Sequence, residues 1–440
     1  MTQQEEFKRI ITQVLDEAKQ QGANAAEAAI GEENGLSVSV RLGEVETLEY
    51  NRDKGLSITV YVGQSKGSAS TSDFSAQAII DAVGAACRIA RYTAADEYAG
   101  LADKALMATD YPDLDLHHPW DISAEEAVEL ALECEAAARN FDARIINSEG
   151  ATVSSHQAFR MYGNSHGFIG SYPTSRHSLS CSVIGEEGEG MERDYWYSVA
   201  RDAKDLDSAA KVGEIAAERT ISRLNPHRLS TREVPVIFSS DVASGLIGHF
   251  VGAVRGGSLY RKTSFLLDSL GTQVFPQWLS LNEEPHLIGA LGSAPYDSEG
   301  VRTSARDLVK DGVVQGYVLD SYSARRLGMQ STGNAGGVHN LSVTTSGISK
   351  DELLKKMGTG LFVTELMGQG VNNVTGDYSR GAAGFWVEDG VIQYPVSEIT
   401  IASNLKEMFM GITAIANDVD EQKNIRTGSI LVDKMTVAGE

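Results

Sequence analysis

Cysteine is scarce: Cys87, Cys134 and Cys181 are the only three in 440 residues, an odd number without CxxC spacing. That excludes a disulfide scaffold and fits a reducing compartment, so a cytoplasmic location is expected. Long apolar runs are missing too: no stretch reaches the roughly 18 consecutive apolar residues of a transmembrane helix. The chain opens on a charged amphipathic segment rather than a basic region followed by an apolar one, so no signal peptide is expected. Positive charge is in deficit, with 38 Lys+Arg against 60 Asp+Glu and a net charge of −22. Such a surface repels phosphate backbones, so no nucleic acid and no membrane are expected as partners. What remains is ordinary globular material, 42% apolar and 22% charged, long enough for two or three domains at roughly 150 residues each.

Phe7, Ile10, Ile11, Val14, Leu15 and Ala18 recur at helical spacing, with Gly22 past the end. Leu36, Val38, Val40 and Leu42 alternate with polar residues, as do Leu56, Ile58, Val60 and Val62. Asn34-Gly35 and the segment 52–55 then read as turns of an antiparallel meander. Asp73 precedes a second helix, and Ser123 with Glu126 forms a capping box for a third. The segment 98–120, with Pro112 and Pro119, predicts a loop. Short strands are expected over 145–200, and a fourth helix over 207–224 stops before Pro226. Beyond Pro226 glycines cluster, and the apolar runs are strand-like: Val234–Phe238, Val313–Leu319, Leu361–Leu366, Gly384–Val387 and Val396–Ile401. Only Asp241–Val254 and Asp351–Met357 read as helical. The predicted class is α+β in two domains: 1–225, helices on antiparallel sheet, and 226–440, β-dominated.

Motifs that could carry chemistry mostly dissolve in their context. Gly163-Asn164-Ser165-His166-Gly167 matches the G-x-S-x-G nucleophile elbow, but that motif needs a helix directly after the turn. Phe168 to Pro173 cannot start one, so a hairpin is expected. None of the nine histidines makes a helical metal pair, and His117-His118 precedes Pro119 in a loop. The cysteines sit on apolar faces, where free thiols are inert. Gly333, Gly336 and Gly337 match no phosphate loop and suit a turn with positive φ. No catalytic residue, metal or cofactor is therefore expected in this chain. Two segments are denser in functional types: 255–262, with Arg261 and Lys262, and 376–381, with Asp377, Tyr378 and Arg380. They are either turns with internal ion pairs or a surface that grips substrate or partner.

The same segments carry a resemblance. The blocks 260–271, 297–303 and 321–325, and the run from Gly358 to Trp386, closely resemble the TldD/PmbA family, once labelled modulators of DNA gyrase. The resemblance implies a subunit of a cytosolic metalloprotease heterodimer that proteolyses unfolded or flexible peptides, including peptide-antibiotic maturation and antitoxin degradation. It allows a homodimer when the partner is absent. In the TldD type, a helix carries His-Glu-x-x-x-His before Gly-Leu-x-Gly, and a cysteine near the C-terminus completes the zinc site. Here Gly245-Leu246-Ile247-Gly248 anchors the comparison, so Ser239, Ser240 and Ser244 stand at the His, Glu and His positions, and Thr427 at the Cys position. Neutral hydroxyls are poor zinc ligands, and without the glutamate no general base remains. The implied zinc then belongs to a TldD-type partner, and this chain, though of a hydrolase family, is expected to be non-catalytic alone. The alternative is a binding regulator of gyrase or of an RNA-binding regulator, with the charge of −22 mimicking nucleic acid. A further alternative is a self-contained hydrolase using Ser165 or a histidine cluster.

Overall fold

Thr2 and Glu5 close a reciprocal capping box on α1 (Gln3–Gln20), whose Phe7, Ile10, Ile11 and Val14 are buried. The computed structural model describes residues 2–188 and 190–439. After α1 come β1 (Ala25–Arg41), β2 (Glu44–Val62), β3 (Ser65–Thr71) and α2 (Ala76–Tyr92). Then follow α3 (Ala124–Phe141), β4 (Ile145–Asn164), β5 (Ile169–Glu187), β6 (Gly190–Ala200) and α4 (Ala209–Ser222). The six strands form one antiparallel sheet in the order β3-β2-β1-β4-β5-β6. One face packs on the helices: Ile30, Leu56 and Ile58 meet α1 and α2, while Leu36, Val38 and Val153 meet α3 and α4.

The meander is longer than its turn residues suggest. Asn34 and Gly35 lie inside β1, paired with Arg52 and Asn51 on β2, so neither Asn34-Gly35 nor 52–55 is a turn. Gly35 serves a close cross-strand approach instead, since a Cβ there would stand 2.3 Å from the His156 ring. The hairpin turns at Leu42-Gly43, with φ of 54° and 82°, the positive pair that a type I′ turn requires. Ser165 sits in the β4–β5 hairpin, its Oγ accepting the Ala26 N–H at 3.1 Å. No helix follows it, and the nucleophile-elbow reading has no structural basis.

The remaining elements are β7 (Arg232–Phe238), α5 (Ser240–Ala253), α6 (Gly256–Tyr260), β8 (Leu281–Glu283), β9 (Arg306–Lys310), β10 (Val313–Val314) and α7 (Ser321–Arg326). They continue with β11 (Leu341–Val343), α8 (Lys350–Met357), β12 (Gly360–Met367), β13 (Asp377–Glu388) and β14 (Val391–Asn404). Last come α9 (Leu405–Met410), β15 (Ile412–Ile415), β16 (Ile425–Arg426) and β17 (Ile430–Ala438). A small sheet runs β10-β9-β8-β11-β16, and a larger one runs β14-β13-β12-β7-β17-β15. Because β14 also pairs with β17, the larger sheet curls into a closed ring. Leu246, Ile247 and Phe250 of α5 enter its core, where Phe250 meets Phe275 and Phe409 at centroid distances of 5.0 and 6.1 Å.

The class is α+β, with helices in both parts. Three helices in the second part have no counterpart in the sequence reading: α6, α7 and α9, of five or six residues each. Fewer than two turns leave no period to detect. Only the first two residues of Val313–Leu319 are strand; the rest packs beside the end of α5, with the Val318 N–H on Val254 O. The cap of α5 also differs from expectation. Ser239, not Ser240 or Asp241, is the N-cap, and its side chain caps nothing.

Candidate functional site

The chain leaves β7 and turns into α5 at Ser239, whose N–H bonds Val363 O of β12 at 2.9 Å. An N-cap serine normally accepts an N–H of the first turn. Here Ser239 Oγ is buried without a partner, and the helix end is satisfied from elsewhere. Ser429 Oγ accepts the Ser240 N–H at 3.2 Å and donates to Asp418 Oδ2 at 2.7 Å. A carboxylate thus reaches the positive end of the helix dipole through one hydroxyl. Thr427 is fully buried two residues before Ser429, its hydroxyl donating to Gly428 O at 3.1 Å.

Ser244, one turn further along α5, lines a cleft of about 410 Å³. The cleft is walled by β6, α4, β12 and the segment around Lys423. Five cations line it, Arg193, Arg219, Arg223, Arg380 and Lys423, against the carboxylates of Asp194, Asp241 and Glu365. In a chain this acidic, that is a local excess of positive charge. Arg219 bonds Asp241 at 2.6 Å and stacks on Trp196 at 5.1 Å. Arg223 reaches Glu365 at 2.5 Å and Asp194 at 3.3 Å. Burial works to lower both arginine pKa values, but the surrounding carboxylates outweigh it and hold them above the ordinary guanidinium value. Burial raises Glu192, which also faces Arg223, above the usual carboxylate range, and pushes Tyr197 up to about 12. Three buried donors on the walls have no acceptor among the described residues: Trp196 Nε1, Arg219 Nε and Arg380 Nε. Arg219 Nε lies 3.4 Å from Asp194 Oδ1, but off hydrogen-bond geometry. Unpaired buried donors are costly, and all three belong to side chains that line the cleft.

Of the sequence-predicted residues, only Ser244 and Arg380 line this cleft. Tyr378 is buried behind it, edge-on to His249 at 5.9 Å, and burial raises its pKa to about 12. Asp377 is exposed and bonded to Thr375 and Asn404. Arg261 folds back over Tyr260, 5.2 Å from the ring, and Lys262 sits at φ 59° in the turn after α6. The two dense segments lie side by side, with Asn373 Nδ2 donating to Thr263 O at 3.0 Å and the Phe265 N–H to Asn373 O at 2.9 Å. Arg219, Arg223, Trp196, Glu365 and Lys423 escaped sequence reasoning, since nothing in their spacing joins positions from 196 to 423. A larger cleft of about 670 Å³ lies between the first sheet and the loops around Tyr296 and His339, and none of the sequence-predicted residues lines it.

The residues at the α5 position do not fit a zinc ion. Ser239 Oγ is an orphaned neutral hydroxyl, and Ser240, Ser244 and Thr427 offer only further hydroxyls, which do not match the nitrogen, thiolate and carboxylate donors zinc takes. Among the described residues no group of three His, Cys, Asp or Glu stands in a metal-holding arrangement.

Comparison with known proteins places these features in a lineage. Models of the PmbA/TldA metallopeptidase match in three pieces: domain 1 at residues 26–90, the central domain at 117–224 and the C-terminal domain at 231–439. Metalloprotease PmbA of Escherichia coli O157:H7 is 55% identical over 418 residues, 95% of this chain and 93% of that one. The Metalloprotease PmbA homolog of Haemophilus influenzae is 55% identical over 440 residues, covering 99% and 97%. The same organism's Metalloprotease TldD homolog is matched more distantly, 24% over 295 residues, 59% of this chain and 61% of that one. A Bacteroides thetaiotaomicron crystal structure, named for a proposed role as modulator of DNA gyrase, superposes with a TM-score of 0.94 at 28% identity, covering 98% and 99%.

Proposed function

The chain belongs to the PmbA/TldA metallopeptidase family, and from that premise we propose that it is the metal-free subunit of a TldD/TldE-type protease complex. In this reading it lies in the cytoplasm as a heterodimer with a TldD-type subunit, which carries the zinc and the general base. Residues 1–225 and 226–440 act as its two domains. Its own contribution is to shape the space offered to unfolded or flexible polypeptide. The observation that carries the reading is the chemistry of α5: the helix is kept, while Ser239, Ser240 and Ser244 present hydroxyls where a ligand set needs imidazole and carboxylate. The cleft beside Ser244 supports it, because Arg193, Arg219, Arg223, Arg380 and Lys423 line it and their cations suit the carbonyl and carboxylate oxygens of a polypeptide. Of the other candidate contacts, Arg261, Lys262 and Asp377 are left for partner or substrate at the surface, and Tyr378 for support of Arg380 from beneath.

The test is to purify the chain alone and together with a TldD-type subunit, then measure zinc and the cleavage of a denatured polypeptide. The expected result is no stoichiometric zinc and no cleavage from the chain alone, with chelator-sensitive cleavage from the pair. Stoichiometric zinc and chelator-sensitive cleavage from the chain alone would falsify the proposal.

A further inference from the structure

Three tyrosines and three cations from distant parts of the chain meet on one stretch of surface. Tyr98 comes from the loop after α2, Tyr260 and Arg261 from the end of α6, and Tyr322 and Arg326 from α7. The Arg326 guanidinium carbon stands 4.9 Å from the Tyr98 ring centroid and 5.1 Å from that of Tyr260. Arg261 lies over the same Tyr260 ring at 5.2 Å, and its Nε donates to the Tyr260 hydroxyl at 3.1 Å. Tyr322 meets Tyr260 edge-on at 5.7 Å, and Lys262 follows in the turn. Arg261, Lys262 and Arg326 are all exposed, and among the described residues none has a carboxylate within 4.0 Å. The acids beside Tyr98 are otherwise engaged: Asp96 accepts the Tyr322 hydroxyl at 2.7 Å, and Glu97 lies by the Tyr98 hydroxyl. Two guanidinium groups over one ring are at most about 10 Å apart, within a screening length, so they repel each other.

We propose that this surface binds acidic segments of flexible polypeptide. The ring contacts orient the Arg326 plane, while none of its N–H donors makes a hydrogen bond among the described residues. A planar fork held that way pairs both oxygens of one carboxylate. Arg261 and Lys262 then take the carboxylates next to it along the bound segment, and the mutual repulsion of the cations is relieved. A few spaced carboxylates match this group of cations. A phosphate backbone instead brings about one charge per 1.7 Å of duplex towards a protein of net charge −22, so peptide is the occupant. The assignment rests on the reading that the chain presents polypeptide to a protease, and it names the kind of sequence that is held.

Fluorescence anisotropy on the full chain alone tests it, without metal or partner, so a failure here leaves the zinc and cleavage experiment to stand or fall separately. The probes are a labelled Gly-Ser peptide carrying three glutamates, the same peptide with glutamines, and a single-stranded oligonucleotide. The glutamate peptide should bind about tenfold more tightly than the glutamine one. R326Q and K262Q should each remove about threefold, and R261Q/K262Q/R326Q should abolish the preference. R139Q, at an exposed arginine on α3, should change nothing. Circular dichroism checks folding, and K262Q keeps the test open if the arginine variants unfold, since Lys262 makes no hydrogen bond among the described residues. Equal binding of the two peptides, a preference that survives the triple variant or K262Q, an equal loss in R139Q, or tighter binding of the oligonucleotide would each overturn the proposal.

Discussion

Replacing Arg223 by methionine should destabilise the protein by about 2–4 kcal/mol at pH 7. The guanidinium is shared by Glu365 on β12 at 2.5 Å, Asp194 on β6 at 3.3 Å and Glu192 on β6 at 3.5 Å. It thereby ties the first sheet to the ring. Its side chain is 13% exposed and that of Asp194 only 5%. Methionine keeps most of the stem's packing and removes the charge. Breaking a buried pair by deleting one partner costs about 3–5 kcal/mol. Asp194 keeps Arg219, and Glu365 is 35% exposed, which moves the expectation to the lower part of that range. Against a total of about 5–15 kcal/mol the loss is large. Urea unfolding read by tryptophan fluorescence measures it, with Trp196 stacked on Arg219 as a reporter inside the cleft. The pH dependence supplies a second reading. Burial already raises the Glu192 carboxyl and Arg223 opposes that rise, so without Arg223 acidification should neutralise Glu192 more readily and narrow the deficit. Adding E365Q to the variant should also recover part of it. A loss below about 0.5 kcal/mol with no pH dependence would mean that solvent screens the cluster like any surface pair, and the argument for a buried junction would fail.

Arg325 on α7 donates to three carbonyls of the 98–101 loop: Tyr98 at 2.9 Å, Gly100 at 3.1 Å, and Leu101. Arg325→Lys cannot span that fork, so it should cost about 1–3 kcal/mol and open the loop to protease, measured by melting and limited proteolysis. Asp297 is buried, and burial lifts its pKa to about 7 even though three backbone N–H groups bond its carboxylate. A carboxyl whose folded pKa is raised contributes stability that is present below its unfolded pKa of about 4 and is lost as pH rises through the folded value. The stability of Asp297→Asn relative to the parent should therefore improve steadily from about pH 4 to pH 7. Denaturation curves across that range check it, and a flat difference would refute it.

Legibility followed period and length. The first four helices and the alternating strands showed in the sequence because each buries a face that repeats at 3.6 or 2 residues. Asn34-Gly35 misled because the same pair that favours a type I′ turn also permits close packing under His156, and only the pairing with β2 and β4 decides between them. Short helices such as α7 are held by tertiary contacts like those of Arg325, which leave no local pattern. At the candidate site, the serines of α5 were found through resemblance to a ligand pattern. Nothing local marked the Arg219–Arg223 cluster, whose residues come from β6, α4, α5 and β12 and meet only once both large sheets are formed.

The closed ring has a consequence for how the protein is made. β7 is flanked by β12 on one side and β17 on the other, so it stands with open edges until residues 360–367 and 430–438 have been synthesised. Translation proceeds at about 5–20 residues per second, which leaves an apolar strand, Val236–Phe238, and the apolar face of α5 waiting on the order of ten seconds or more for their neighbours. The nascent chain is then an obvious client for a holding chaperone. Ribosome stalling between residues 240 and 430 should be more harmful to yield than stalling within the first sheet, four of whose five strand-to-strand connections are short hairpins that can pair soon after they emerge.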